Sequence, residues 1–249
     1  MNHEHSAHFE HSACVARVAS AARTARTMLV LIAAVSCLAA ALCLTACGSS
    51  AQSSSTNASS SAASADCVTQ AEGVYASGAH HAVVTVQGYD PFTIELDADA
   101  APVSVWNFCT LAESGAYNGS TFHRIVSDFC LQGGDPTGTG TGTGDYTIVG
   151  EFSANNIPNA LADDYREGTV AWARLSTSND SASLQWFITL SDKGASSLNG
   201  QYAAFGTVDT AGMEIVQSIV NDYVSNAGSN GIIADKASQP VIESIEITD

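Results

Sequence analysis

The chain has 249 residues, of which 45% are hydrophobic and 13% charged, with 25 Asp and Glu against 8 Lys and Arg. That length is enough to bury a sizeable core, and a net charge of −17 repels nucleic-acid phosphates and argues against a nucleic-acid partner. Seven cysteines would suit a disulfide scaffold, but Cys14, Cys37 and Cys43 fall in the first 46 residues and no pair shows the Cys-x-x-Cys spacing of a zinc or redox motif.

The first 27 residues hold Arg17, Arg23 and Arg26, the run Met28 to Leu44 is apolar, and Leu44-Thr45-Ala46-Cys47 leads into Gly48-Ser49-Ser50. A basic lead, an apolar stretch and small residues at a cut site describe an export signal. A cysteine at that site resembles a bacterial lipobox, whose cysteine receives a diacylglycerol and becomes the new N-terminus. Residues 1–46 are therefore expected to be a lipoprotein signal peptide and Cys47 the lipid attachment site. The domain is then extracytoplasmic, anchored to the bacterial cell membrane. The apolar run is at the short limit for a retained span, and His3, His5, His8 and His11 leave with the signal. Beyond Cys47 lie 5 Lys and Arg and 23 Asp and Glu, a net charge of −18.

Residues 47–78 form a Ser/Ala-rich segment, with nine serines between Gly48 and Asp66. It has too little apolar surface to fold and is expected to be a flexible tether, its reach on the order of 30 Å. Cys67 lies within it.

Residues 79–249 change texture. Ala82 to Gln87 is β-branched, Gly88 to Pro91 is a turn, and Phe92 to Asp97 alternates, so a hairpin is expected. Asp99 or a neighbour can cap a helix with Pro102 in its first turn; Val105, Phe108, Cys109 and Ala112 share its face, and Gly115 ends it. Thr121 to Gln132 reads as extended and Pro136 to Asp145 as a Gly/Thr loop. Strand texture returns at Thr169 to Leu175, Leu184 to Leu190 and Tyr202 to Val208. Met213, Val216, Ile219 and Val220 mark a second helix, 221–239 a long loop, and Val241 to Ile247 a last alternating strand. The expected fold is mainly β, a closed antiparallel barrel of about eight strands capped by two α-helices.

Three blocks carry the chemistry. Phe122-His123-Arg124 and Phe129-Cys130-Leu131-Gln132-Gly133-Gly134-Asp135 place an arginine and a glutamine in apolar β sequence, where such residues need a partner or a task. The others are Gly168 to Arg174 with Ser183-Leu184-Gln185-Trp186-Phe187-Ile188, and Leu198-Asn199-Gly200 through Phe205-Gly206. In this order and spacing, from about Ala82 to Ile247, they resemble the cyclophilins, the peptidyl-prolyl cis/trans isomerases.

The resemblance implies roles. Arg124 would be the catalytic guanidinium, Phe129 an aromatic wall of the proline pocket, and Gln132 a hydrogen-bonding partner of the substrate backbone. Cys130 stands where many members carry Met. Ala173 and the backbone of Arg174 would line the peptide groove with Gln185. Phe187 would floor the proline pocket and Leu198 close it, and Tyr202 stands where many bacterial members have Tyr. Leu184 looks inserted and Trp186 departs from the family's Phe. Ser197, where animal members have Trp, implies weak cyclosporin sensitivity. The implied partner is an X-Pro segment of an unfolded or exported protein. No cofactor and no metal are implied, and a monomer is expected.

Other readings of these residues are weaker. Gly138 to Gly144 lacks the Gly-Lys-Ser/Thr of a phosphate loop. His123, Asp135 and a serine make no hydrolytic triad without a Gly-x-Ser-x-Gly elbow. His80-His81 lacks a third metal ligand. Two functions stay open: an isomerase acting on exported chains, and a module that binds proline segments as a chaperone without turning them over.

Overall fold

The computed structural model describes residues 66–249. The expected signal peptide, Cys47 and most of the expected tether lie outside the described residues.

Eight strands form one antiparallel sheet. In chain order they are β2 (Ala79–Val86), β3 (Phe92–Asp97), β4 (Thr121–Val126), β5 (Cys130–Asp135), β7 (Thr169–Trp172), β8 (Trp186–Thr189), β9 (Ala204–Val208) and β10 (Ile242–Ile247). Their order across the sheet is β10-β2-β3-β9-β7-β8-β5-β4. The sheet curls until its edges meet: Phe122 N–H donates to Pro240 O at 3.0 Å and Ile242 N–H to Ser120 O at 2.9 Å. The result is a nearly closed barrel, which leaves little unpaired strand edge. Alternation explains the strands. In β3, Phe92, Ile94 and Leu96 point inward and are buried while Thr93 and Glu95 face water.

Helix α1 (Pro102–Glu113) and helix α4 (Thr210–Tyr223) are the two long helices. Asp209 caps α4 by accepting from Gly212 N–H at 2.7 Å, and its buried face is Met213, Val216, Ile219 and Val220, the set the spacing predicts. α1 is capped differently from the expectation. Asp99 accepts from Gly78 N–H instead. The first amides of α1, Val103 and Ser104, donate to the buried carboxylate of Glu151 at 3.0 and 2.8 Å. A negative group at a helix N-terminus satisfies orphan donors and opposes the dipole. Phe108 of α1 lies at the centre of the core, with ring centroids 5.1 to 6.3 Å from Phe205, Tyr117, Trp186 and Trp172.

Three expectations change. Part of the stretch assigned to the tether belongs to the domain: β1 (Cys67–Val68) pairs in parallel with β6 (Thr147–Ile148), and Val74–Ala76 forms a 3-10 turn against α1. Val68, Ala71 and Tyr75 supply enough apolar surface there to dock on the core. Second, Thr121 to Gln132 is a hairpin rather than one extended run. Its turn at Ser127–Phe129 carries Asp128 at φ 58, a left-handed conformation that Asp tolerates better than most residues. Third, two short helices, α2 (Ala160–Asp163) and α3 (Asp192–Ala195), sit between strands. Ser191 caps α3 and also donates to Asp128 O at 2.6 Å, fixing the hairpin turn.

The long loop before β10 has a definite place. Gly231 O accepts from Ile125 N–H at 2.8 Å and Ile233 N–H donates to His123 O at 2.9 Å, so this segment pairs with the outer edge of β4. Cys67, Cys109 and Cys130 are all free thiols.

Candidate active site

The hairpin β4–β5 sets the first side chains. Arg124 and Gln132 are direct cross-strand partners, so their side chains lie on one face of the sheet. Phe129 in the turn and Cys130 at the start of β5 stand beside them. β8 pairs with the other side of β5 and places Phe187 opposite Gln132. Ala173, just past β7, is tied by its N–H to Gln185 O at 2.9 Å. Leu198 arrives on the 3-10 turn after α3, and Tyr202 is steadied by Tyr165, whose hydroxyl donates to Tyr202 O at 2.9 Å.

These side chains surround one hollow of about 120 Å³, lined by Arg124, Phe129, Cys130, Gln132, Ala173, Arg174, Phe187, Leu198 and Tyr202. Its apolar wall includes Phe187 and Leu198, both buried, and Tyr202 meets Phe187 edge-on at 5.8 Å. Gln185 lies in an adjoining, larger hollow of about 290 Å³ that shares Gln132, Ala173 and Arg174.

Arg124 makes no ion pair among the described residues. Its Nε donates to Asn230 O at 3.2 Å, and its Nη1 donates to Cys130 Sγ at 3.1 Å and Gln132 Oε1 at 3.3 Å. Nη2 has no hydrogen-bond partner among the described residues. All three acceptors are neutral, so the full positive charge remains. Burial pushes the Cys130 thiol up to about 11 against the pull of Arg124, which keeps the sulfur protonated near neutral pH.

A chain of amides fixes the glutamines. Gln132 Oε1 accepts from Arg124, so its Nε2 donates to Gln185 Oε1 at 3.1 Å; Gln185 Nε2 then donates to Gly140 O and Gly142 O at 3.1 and 2.9 Å. A guanidinium only donates and a carbonyl only accepts, so neither amide can be flipped. The Gly/Thr loop that supplies those carbonyls is wound around Asp135. Its buried carboxylate accepts from the N–H groups of Thr137, Gly140 and Gly142 at 2.7 to 3.0 Å and from the Thr137 hydroxyl. Burial acts to raise the Asp135 pKa, but the Gly142 N–H, the Thr137 hydroxyl and the other amides outweigh it and hold it at about 2. A Cβ on Gly142 would stand 2.0 Å from Asp135 Oδ1, so the close wrap depends on glycine there.

Sequence reasoning missed four parts of this arrangement. Asn230 contributes only a carbonyl, which no motif marks, although Asn230-Gly231 signals a turn. Asp135 enters the sequence reading only as a member of a rejected triad, and nothing local marks it as a loop anchor. Phe152 is distant in sequence from every block. The Arg174 side chain, not its backbone alone, reaches the hollow: its guanidinium lies 4.7 Å from the Tyr202 ring centre and 5.3 Å from that of Phe152. His80, in turn, is held by Asp249 and Ser77 O, so it ties the segment after β10 to the start of β2.

The model of the cyclophilin type peptidyl-prolyl cis-trans isomerase/CLD family matches residues 81–247. Peptidyl-prolyl cis-trans isomerase B of Bacillus subtilis is 39% identical over 130 residues, covering 52% of this chain and 83% of its own length. A mouse peptidylprolyl isomerase domain and WD repeat-containing protein 1 is 38% identical over 157 residues, covering 63% of this chain; the match spans only 23% of that longer protein. A solved Cryptosporidium parvum cyclophilin type peptidyl-prolyl cis-trans isomerase superposes with TM-score 0.58 at 26% identity, covering 69% of this chain and 99% of the other. A second structure of that protein, in the presence of the dipeptide Ala-Pro, gives 0.57 at 27% identity. The chain belongs to the cyclophilin family, and its folded part is a cyclophilin-type peptidyl-prolyl isomerase domain.

Proposed function

We propose that this domain isomerises X-Pro bonds of exported proteins at the outer face of the membrane, with Arg124 as the group that lowers the barrier. Rotation about an amide bond costs about 18–20 kcal/mol because resonance must be broken. As the prolyl bond twists, its nitrogen recovers a lone pair and becomes an acceptor. A donor poised at that nitrogen strengthens its bond only in the twisted state, which is what catalysis requires. Neither a nucleophile nor a cofactor takes part.

The observation that carries this reading is Nη2 of Arg124. Nε and Nη1 are held by Asn230 O, Cys130 Sγ and Gln132 Oε1, so the remaining amine is aimed by a fixed fork and no carboxylate competes for it. Phe129, Phe187, Leu198 and Tyr202 would hold the proline ring, and Gln132 and Ala173 the neighbouring backbone. A proline wait of tens to hundreds of seconds is long for an exported chain, and a lipid on Cys47 would keep the domain where such chains emerge.

Two measurements test this. The first follows cis-to-trans conversion of a short Ala-Pro peptide in parallel with its binding. Acceleration supports the enzyme; binding without acceleration supports a proline-holding module instead. The second is Cys47→Ser, expected to leave the protein unprocessed or released from membranes. A processed form that stays membrane-bound would rule out the lipid anchor.

A further inference from the structure

The folded domain carries only five Lys and Arg, and two of them, Arg124 and Arg174, line the same hollow. No Asp or Glu lines either that hollow or the adjoining larger one. In a chain of net charge −17, this is a local reversal of sign.

Arg174 is not a loose surface cation. Its guanidinium lies against Tyr202 and Phe152, Nε donates to Gln201 O at 3.0 Å, and Nη1 donates to Leu175 O at 3.0 Å. Nη2 has no hydrogen-bond partner among the described residues, and no ion pair neutralises the group. A guanidinium stacked on rings and tied at two nitrogens has already lost its conformational freedom, so a ligand meets a pre-organised donor. Leaving a half-buried charge without a counter-ion is unfavourable unless a ligand supplies one.

We propose that Arg174 is a carboxylate-binding subsite that makes the domain prefer proline segments bearing an acidic group close to the proline, a side-chain carboxylate or the free C-terminus of a peptide. This rests on the reading of the Arg124 hollow as the proline site: Arg174 lines both hollows, so a chain whose proline fills the smaller one passes it within a residue or two. The overall negative field opposes approach of such a peptide, but screening at 0.15 M salt confines that field to about 8 Å, whereas a close charge-assisted hydrogen bond persists.

The test uses the full-length protein and matched X-Pro peptides at about 0.15 M salt. One set has amidated C-termini and Glu, Gln or Lys at each position flanking proline; another ends in a free or amidated C-terminus just after it. Rates and affinities are read for wild type, Arg174→Gln and Arg174→Lys. Wild type should favour the carboxylate over its neutral counterpart by about tenfold, at the best position or terminus. That ratio should fall to about one in Arg174→Gln and survive in part in Arg174→Lys, whatever the absolute rates. The two peptide sets separate a side-chain from a terminal carboxylate. A ratio near one in wild type overturns the proposal, as does a ratio unchanged by Arg174→Gln. If no peptide is turned over, the isomerase reading fails while the affinity ratio still decides the role of Arg174.

Discussion

Gln132 donates its amide N–H to Gln185 Oε1 at 3.1 Å, and this contact joins the Arg124 guanidinium on one side to the Gly/Thr loop on the other. Removing it breaks the relay without touching the apolar wall. Gln185→Ala is expected to lower kcat about tenfold with a smaller change in KM, because a misaimed donor weakens the twisted state more than the bound ground state. Steady-state kinetics on one X-Pro peptide, with thermal unfolding as the control for folding, checks this.

The loop end of the relay depends on Asp135. Its folded pKa is about 2 against an ordinary 3.8. A depressed carboxylate contributes stability above its unfolded pKa, and that contribution fades as pH falls from about 4 through 2. At 1.36 kcal/mol per unit the shift corresponds to about 2 kcal/mol. Asp135→Asn should therefore lose about 2 kcal/mol in urea unfolding at pH 7, and the gap to wild type should shrink from about pH 4 and close only below about pH 2.

Much of this architecture is legible in the sequence. The alternation of Phe92 to Leu96 and the spacing of Met213, Val216, Ile219 and Val220 fix a strand and a helix by local rules alone. The blocks around Arg124, Gln185 and Leu198 identify most of the hollow's lining through resemblance. What escapes is long-range satisfaction of polar groups. Glu151 caps α1 from 48 residues away, Asn230 reaches Arg124 across 106, and neither pairing leaves a local pattern. The hairpin turn at Asp128 was hidden for another reason: Ser127-Asp128 is a weak turn signal without Gly or Pro, set in a run of β-formers.

Gly231 tests the far support of Arg124. It sits at φ 83, and an added Cβ would stand 2.5 Å from Val126 Cγ2 and 2.7 Å from Ile125 O. Gly231→Ala should push the loop off the edge of β4, withdraw Asn230 O from Arg124 Nε, and cost about 1–3 kcal/mol of stability. Urea unfolding together with isomerisation rates reads both effects; a variant with unchanged stability and rate would contradict this placement.

The cysteines give a chemical probe of the hollow. Burial puts Cys109 up to about 12 and Cys130 up to about 11, while Cys67 is exposed. Iodoacetamide at pH 8 should modify Cys67 and leave Cys109 and Cys130 thiol in the folded protein. Labelling of Cys130 should appear as pH approaches 11, or on unfolding. Peptide mapping by mass distinguishes the three sites.

The role of Arg124 is tested most directly by Arg124→Ala, with cis-to-trans conversion and peptide affinity measured on the same X-Pro substrate. Loss of a donor that acts only on the twisted amide should lower kcat/KM by about 10²-fold while affinity for the ground-state peptide changes little. A variant that retains wild-type turnover, or one whose entire loss is explained by weaker binding, would contradict the assignment of Arg124 to the prolyl nitrogen.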